Sequence, residues 1–147
     1  MSEVERGTGN GRAGGLVVEW STRVRSYELD SFGHVNHAVH LNWFEQARFE
    51  TIEAAGFAPS TLAERGWGIH VVRVEVDYRR EARLGEEMLI TTTVERVRNS
   101  SLALTQVARC QPGGEVVAEG RVVLVWIGPD RTPMRIPDEV RTRLGGG

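Results

Sequence analysis

The sequence predicts an α+β domain, with one long helix against an antiparallel sheet. Three observations predict it. Residues 38–55 repeat apolar side chains at helical spacing. Five other stretches alternate apolar and polar residues at a period of two. The last three connections between those stretches are hairpin-length, which favours strands that pair antiparallel in sequence order. With 147 residues, of which 40% are hydrophobic, the chain is long enough for one domain with a real core.

The elements follow in order. Residues 1–15 are Gly-rich and polar and read as a tail. This tail contains a formal GxGxxG match from Gly9 to Gly14. It is rejected as a dinucleotide site, because the motif needs a strand before it and a helix after it. Residues 16–25 alternate Leu16, Val18, Trp20, Thr22 and Val24 as a first strand. The helix expected at 38–55 places Leu41, Phe44, Ala47, Thr51, Ile52 and Ala55 on one face. Trp43 and Phe49 add apolar surface elsewhere around it, so an enclosed helix is expected. Gly56 is placed to cap its end. Residues 59–68 form a connection with a short helical possibility.

Residues 69–80 read as a long strand with Val72, Val74, Val76 and Tyr78 on one face. The chain turns at Gly85 into a strand over 87–98. Asn99-Ser100 suits a tight hairpin into a strand over 101–110. Pro112-Gly113-Gly114 marks another turn, and 115–127 is the last strand. The domain is expected to span 16–137, with 138–147 as a C-terminal tail holding one helical turn at 138–144.

Composition narrows the function. The net charge of -2 gives no reason to expect a nucleic-acid partner. All 18 basic residues are Arg, which reads as compositional bias. A single cysteine, Cys110, cannot form an internal disulfide and fits a reducing compartment; it is expected as a small buried core residue. No apolar run approaches the roughly 20 residues of a membrane helix, and the N-terminus lacks a signal-peptide core. A cytoplasmic protein is the default expectation.

Chemistry concentrates in residues 27–48, YELDSFGHVNHAVHLNWFEQAR. The turn from Asp30 to Asn36 runs into the helix, so a carboxylate, His34, His37 and a helix N-terminus fall close together. On spacing alone, Asp30 is a turn or helix-cap aspartate. His34, His37 and His40 tempt a metal reading, yet no carboxylate or thiolate set completes a site, and no metal is expected. Ser31 beside Asp30 and His34 lacks the GxSxG elbow of a serine hydrolase.

From about residue 17 to residue 127, the chain resembles a hotdog-fold acyl-CoA thioesterase of the 4-hydroxybenzoyl-CoA thioesterase type. The most specific match is an arginine before a D-x-x-G-H-V-N turn, then an aromatic helix ending in E-x-A-R. Asp30, Gly33, His34, Val35 and Asn36 supply the turn, and Trp43, Phe44, Glu45, Ala47 and Arg48 the helix. Arg83-Leu84-Gly85-Glu86 resembles a later family turn. The resemblance implies a hotdog fold, a five-stranded antiparallel sheet wrapped around a long central helix. It also implies homodimers joined sheet edge to sheet edge, or homotetramers, with the site at the dimer interface.

The activity implied is hydrolysis of an acyl-CoA without a cofactor. A departing thiol has a pKa near ~8.5 and needs little acid assistance. A carboxylate and an oxyanion site suffice. By resemblance, Asp30 is nucleophile or general base and the backbone N–H of His37 meets the oxyanion. His34 positions water or the carboxylate, or is structural. It matches the His of an Asp-Asn-His set in some plant acyl-carrier-protein thioesterases, but Phe32 stands at the Asn position. Gly33, Val35 and Asn36 are expected in substrate binding. Arg79, Arg80 and Arg83 either bind coenzyme A phosphates or form a solvated basic turn. Glu45 is a reserve catalyst, or an ion-pair partner of Arg48. An acyl-carrier-protein substrate and a non-catalytic acyl-CoA-binding protein are the alternatives.

Overall fold

The computed structural model describes residues 14–146. The element order is β1 (Val17–Arg23), a short 3-10 turn (Ser26–Glu28), α1 (His37–Ala54), α2 (Pro59–Arg65), β2 (Gly68–Tyr78), β3 (Glu87–Val97), β4 (Ser101–Gln111), β5 (Glu115–Ile127) and α3 (Asp138–Leu144). The five strands form one antiparallel sheet, as expected, and α1 lies on its face. Of the expected tail, residues 1–13 and the GxGxxG match within 9–14 fall largely outside the described residues.

The strand order is β1-β3-β4-β5-β2. This corrects one expectation. The hairpins β3–β4 and β4–β5 form in sequence order, but β2 does not pair with β3. It pairs with β5, with Val74 opposite Val122, while β3 pairs with β1, with Ile90 opposite Trp20. The connection over residues 79–86 is long enough to cross the sheet instead of folding back. It delivers Ala82, buried, against the start of α1, where the Ala82 carbonyl accepts the Val35 N–H at 2.9 Å. The crossover therefore straps down the turn that carries Asp30.

Helix α1 is closed at both ends. Asn36 caps it, its side chain accepting the Ala38 N–H at 2.9 Å. Gly56, at φ +102°, ends it as expected. Gly56 N–H donates to the Glu53 carbonyl and Phe57 N–H to that of Ile52, the paired bonds of a Schellman motif. The buried face differs from the expected one at two places. His40 and Trp43 are buried, whereas Leu41 is 39% and Phe49 53% exposed. One chain covers the helix on the sheet side only, so it is not enclosed.

The core has two parts, one under each half of α1. Trp20, Phe44, Met88, Ile90 and Val117 pack beneath the first half. Ile52, Leu104, Leu124, Trp126, Ile136, Val140 and Leu144 pack beneath the second. Residues 138–144, expected as a tail, thus close the core as α3. Cys110 is buried in the first part, as expected.

Between the two parts lies buried Gln106. Its Nε2 donates to the Phe44 carbonyl at 2.8 Å and to Thr92 Oγ1 at 3.0 Å, and its Oε1 accepts from Arg48 at 3.0 Å. Every polar atom of the amide is used, which ties helix to sheet without an orphaned group. Opposite Gln106 in register is Gly120. A Cβ there would lie 3.0 Å from Phe44 Cε2. Gly120→Val is therefore expected to lose about 1–3 kcal/mol by overpacking. Denaturant unfolding would show it, and the additional change Phe44→Leu should recover part of the loss.

Candidate active site

Asp30 stands where the chain reverses between Leu29 and Val35, which face each other as an isolated antiparallel bridge. Its N–H donates to the His34 carbonyl at 2.7 Å, and its carbonyl accepts the Gly33 N–H at 3.1 Å. Its Oδ1 accepts from the N–H groups of Phe32 at 2.9 Å and His34 at 3.1 Å. An aspartate suits this place because its short side chain reaches its own backbone two residues on. Gly33 turns the chain at φ +82°, a region glycine enters without steric cost.

These bonds favour the ionised form. The N–H of His34, foremost, holds the Asp30 carboxyl below its ordinary 3.8, against the opposing effect of burial. Asp30 is thus a carboxylate at neutral pH. One oxygen is committed to the turn. Among the described residues Oδ2 has no hydrogen-bond partner.

The helix begins seven residues later. Asn36 takes the Ala38 N–H on its side chain and the Val39 N–H on its carbonyl. The His37 N–H has no acceptor among the described residues, as the first turn of a helix permits. It carries the partial positive charge of the helix end. From the sheet edge, Tyr78 Oη donates to the His37 carbonyl at 2.8 Å and ties this turn to β2.

A cavity of about 400 Å³ opens between these groups. Asp30, His34, Val35, His37, Arg79 and Arg80 line it, together with His40, Tyr78 and Glu81. The structure therefore brings six of the nine expected site residues to one space. Gly33 and Asn36 shape the turn and cap the helix without lining the cavity. Arg83 lies outside it, 3.6 Å from Glu81. Glu45 lines a separate small cleft with Arg48, Phe49 and Ile52, away from Asp30. The expected Glu45–Arg48 pair is replaced by the bond from Arg48 to Gln106.

The other polar residues are held by partners. His34 Nε2 lies 3.0 Å from Glu81 Oε2 on the crossover. Arg79 pairs with Glu119 at 3.0 Å. Arg80 grips Glu86 at 2.8 Å and reaches Glu115 at 3.5 Å. The Arg80 hydrogen bond pulls Glu86 down to about 2. Cys110 Sγ also bonds Glu86, at 3.3 Å, and burial pushes its thiol up. Arg79 and Arg80 are ion-paired at the cavity wall, Arg79 remaining exposed to solvent. Among the described residues no group of three His, Cys, Asp or Glu is arranged to hold a metal ion.

Three cavity residues, His40, Tyr78 and Glu81, are not among those the sequence singles out for the site. The sequence suggests His40 only as a tempting metal ligand. Its place four residues before Phe44 and seven before Ala47 puts it on the buried face, a signal that was available. Its ring sits edge-on to Trp43 at 5.0 Å and Tyr78 at 5.2 Å. Buried Glu28 supports this corner, accepting Trp43 Nε1 at 3.0 Å and the Arg25 N–H at 2.7 Å. Nothing local in the sequence announces Tyr78, because its partner lies 41 residues away.

The profile of the Thioesterase-like superfamily matches residues 24–144. The long-chain acyl-CoA thioesterase FadM of Escherichia coli (strain K12) is 30% identical over 128 residues, 86% of this chain and 96% of that one. The chloroplastic acyl-acyl carrier protein thioesterase ATL3 of Arabidopsis thaliana is 26% identical over 126 residues, 86% of this chain and 66% of the relative. A solved structure titled as a predicted thioesterase from Bacillus stearothermophilus superposes with a TM-score of 0.78 at 32% identity, covering 87% of this chain and 93% of that one. With the family profile covering most of its length and the hotdog architecture around the Asp30 turn, the chain belongs to the thioesterase-like superfamily.

Proposed function

We propose that this protein hydrolyses acyl-CoA thioesters, adding water across the C–S bond to release a free acid and coenzyme A. The observation that carries the reading is the juxtaposition of the free Asp30 Oδ2 and the unpaired His37 N–H on one cavity. The thioester carbonyl oxygen points at the His37 N–H, where a developing negative charge meets the helix end. Oδ2 acts on the carbonyl carbon or on a water beside it. The departing thiolate needs no strong acid. His34, held by Glu81, keeps the turn in place, with Gly33, Val35 and Asn36 shaping the substrate's approach. Arg79, exposed at the rim, contacts the phosphates of coenzyme A by exchanging its Glu119 partner for them.

FadM supports the CoA reading. ATL3 supports a second, in which the acyl group arrives on a carrier protein. Thiol release measured on matched acyl-CoA and acyl-carrier-protein substrates decides between them. Turnover of neither would sink the thioesterase reading.

The working unit we propose is at least a homodimer. β2 is an edge strand with Val71, Val72, Val74 and Tyr78 exposed. Such an edge invites pairing with a second copy, and Tyr78 and Arg79 would bring that interface to the cavity. Val72→Glu with Val74→Glu is expected to sediment as a monomer and to lose most turnover. A variant that still sediments as a dimer would refute the interface, and an active monomer would refute its part in the site. No described helix is long and apolar enough to cross a membrane. With a free Cys110, a cytoplasmic enzyme is the setting we propose.

A further inference from the structure

We propose that one coenzyme A is held by two copies of this chain, with Arg131 of the partner subunit taking its phosphates beside the Asp30 cavity. The proposal rests on the thioesterase reading and the β2 interface above, and it adds a binding residue to that same site.

The chain has a second cavity, of about 470 Å³, at the opposite end of β2. Gly66, Trp67, Gly68, His70, Gly128 and Arg131 are among its lining residues. Arg131 is exposed and has no carboxylate within ion-pairing distance among the described residues. Its neighbour Asp130 is turned to the backbone, Oδ1 accepting the Thr132 N–H at 3.1 Å. Among the described residues Arg131 is also the one non-glycine with a positive φ, +66°. That conformation is costly for a residue with a side chain and persists where the surrounding structure imposes it. Here the Arg131 N–H donates to the Gly128 carbonyl at 2.9 Å and closes the turn at the cavity rim. An unpaired guanidinium fork at a cavity matches the oxygens of a phosphate.

Within one chain the two cavities lie apart. Tyr78 borders the first and Gly68 the second. They stand at opposite ends of an 11-residue strand, roughly 33 Å from each other at a rise of ~3.3 Å per residue.

A two-fold axis removes that distance. β2 is an edge strand, and two copies related by a two-fold pair it antiparallel with itself. With Val74 on the axis, Arg73 faces the partner's Glu75, and Glu75 faces the partner's Arg73. The two side chains already meet within one chain, at 3.1 Å, and this register gives each a second opposite charge. The start of one β2 then lies beside the end of the other. Counting past the bulge at Val72, Gly68 of the partner subunit comes next to Arg79, about 4.8 Å away at the spacing of paired strands. The second cavity of one copy thus opens beside the Asp30 cavity of the other. Arg79 and Arg131 of the partner subunit flank the path along which the coenzyme leaves the thioester.

The test reads KM for an acyl-CoA and for the matching acyl-pantetheine, which lacks the phosphates. Arg131→Gly suits the positive φ and removes the guanidinium. It is expected to raise KM for acyl-CoA about tenfold, as the loss of one charge-assisted contact allows, and to leave KM for acyl-pantetheine in place. A mixed dimer of Asp30→Asn with Arg131→Gly, isolated through two different affinity tags, then locates the contact. Its intact Asp30 lies in the Arg131→Gly copy and faces the intact Arg131 of the other, so its KM for acyl-CoA should return close to wild type. A mixed dimer whose KM stays as high as that of Arg131→Gly overturns the proposal. So does an unchanged KM in Arg131→Gly, an equal rise with acyl-pantetheine, or a monomeric wild type. If wild type releases thiol from neither substrate, the thioesterase reading itself falls.

Discussion

Asp30→Asn is expected to lower kcat for thiol release by roughly 10²- to 10⁴-fold, the usual loss when a positioned acid–base group is removed, with the melting temperature unchanged. Both halves of that expectation come from the turn. Asparagine keeps a carbonyl oxygen where Oδ1 stands, so the N–H groups of Phe32 and His34 retain their acceptor. The loop should close as before. What disappears is the negative charge on the unpartnered oxygen, and with it the group that attacks or activates water. A continuous thiol-release assay beside a thermal melt checks the two halves separately. Turnover near the wild-type rate with an intact fold removes Asp30 from the chemistry. The pH profile adds a second check. Because the carboxyl is held below 3.8, the acid limb of kcat/KM should fall below that value, and a limb centred well above it would contradict a turn-stabilised carboxylate.

Acid should destabilise the protein through His40. Burial, chiefly, and the nearby charge of His37 lower its pKa from 6.5 to about 4, with Glu28 opposing. Between those two values the unfolded chain binds a proton that the folded chain excludes, so stability rises with pH across that window. The contribution is fully present above pH 6.5 and is lost as the pH falls to about 4. At about 1.4 kcal/mol per tenfold change in proton affinity, the loss is about 3 kcal/mol. His40→Phe removes the titrating group while keeping an aromatic ring against Trp43 and Tyr78. Its stability should therefore change less between pH 6.5 and 4 than that of wild type. Urea unfolding of both proteins at pH 7, 5.5 and 4.5 measures the difference. Equal pH slopes would mean that the ring is protonated in place. The loss of Glu86 stabilisation lies lower, below 4.5 and down to about 2, and does not obscure the window.

Much of this was legible in the chain because its determinants are local. The Asp30 turn is closed by bonds spanning two to four residues. Asn36 caps a helix that starts at the next residue, and Gly56 ends it through the two bonds beside it. The hairpin at Asn99-Ser100 closes through Arg98 N–H to Ser101 O at 2.8 Å. Short-range periodicity and turn chemistry carry such features in a few consecutive letters. They were enough to specify an α+β domain, the resemblance to hotdog thioesterases, and Asp30 and His37 as the residues of interest.

Only the tertiary structure decided how those pieces meet. The eight-residue connection over 79–86 is compatible with a hairpin or a crossover, and long-range pairing with β5 and β1 selected the crossover. That choice left β2 at the edge and laid Glu81 and Ala82 against the Asp30 turn. For Arg79 the distant partner Glu119, 40 residues away, is invisible in the local sequence, whereas Glu81 and Glu86, which hold Arg83 and Arg80, stand within six residues and their pairing is settled only by the path of the crossover. His40 turned from a doubtful metal ligand into a buried ring on the cavity wall once Tyr78, Trp43 and Glu28 closed around it. Pairing, burial and charge balance depend on groups that the sequence scatters and only the fold assembles. The chemistry of the turn is written in one short stretch, while what surrounds it, and so what it accepts, is set by the packing.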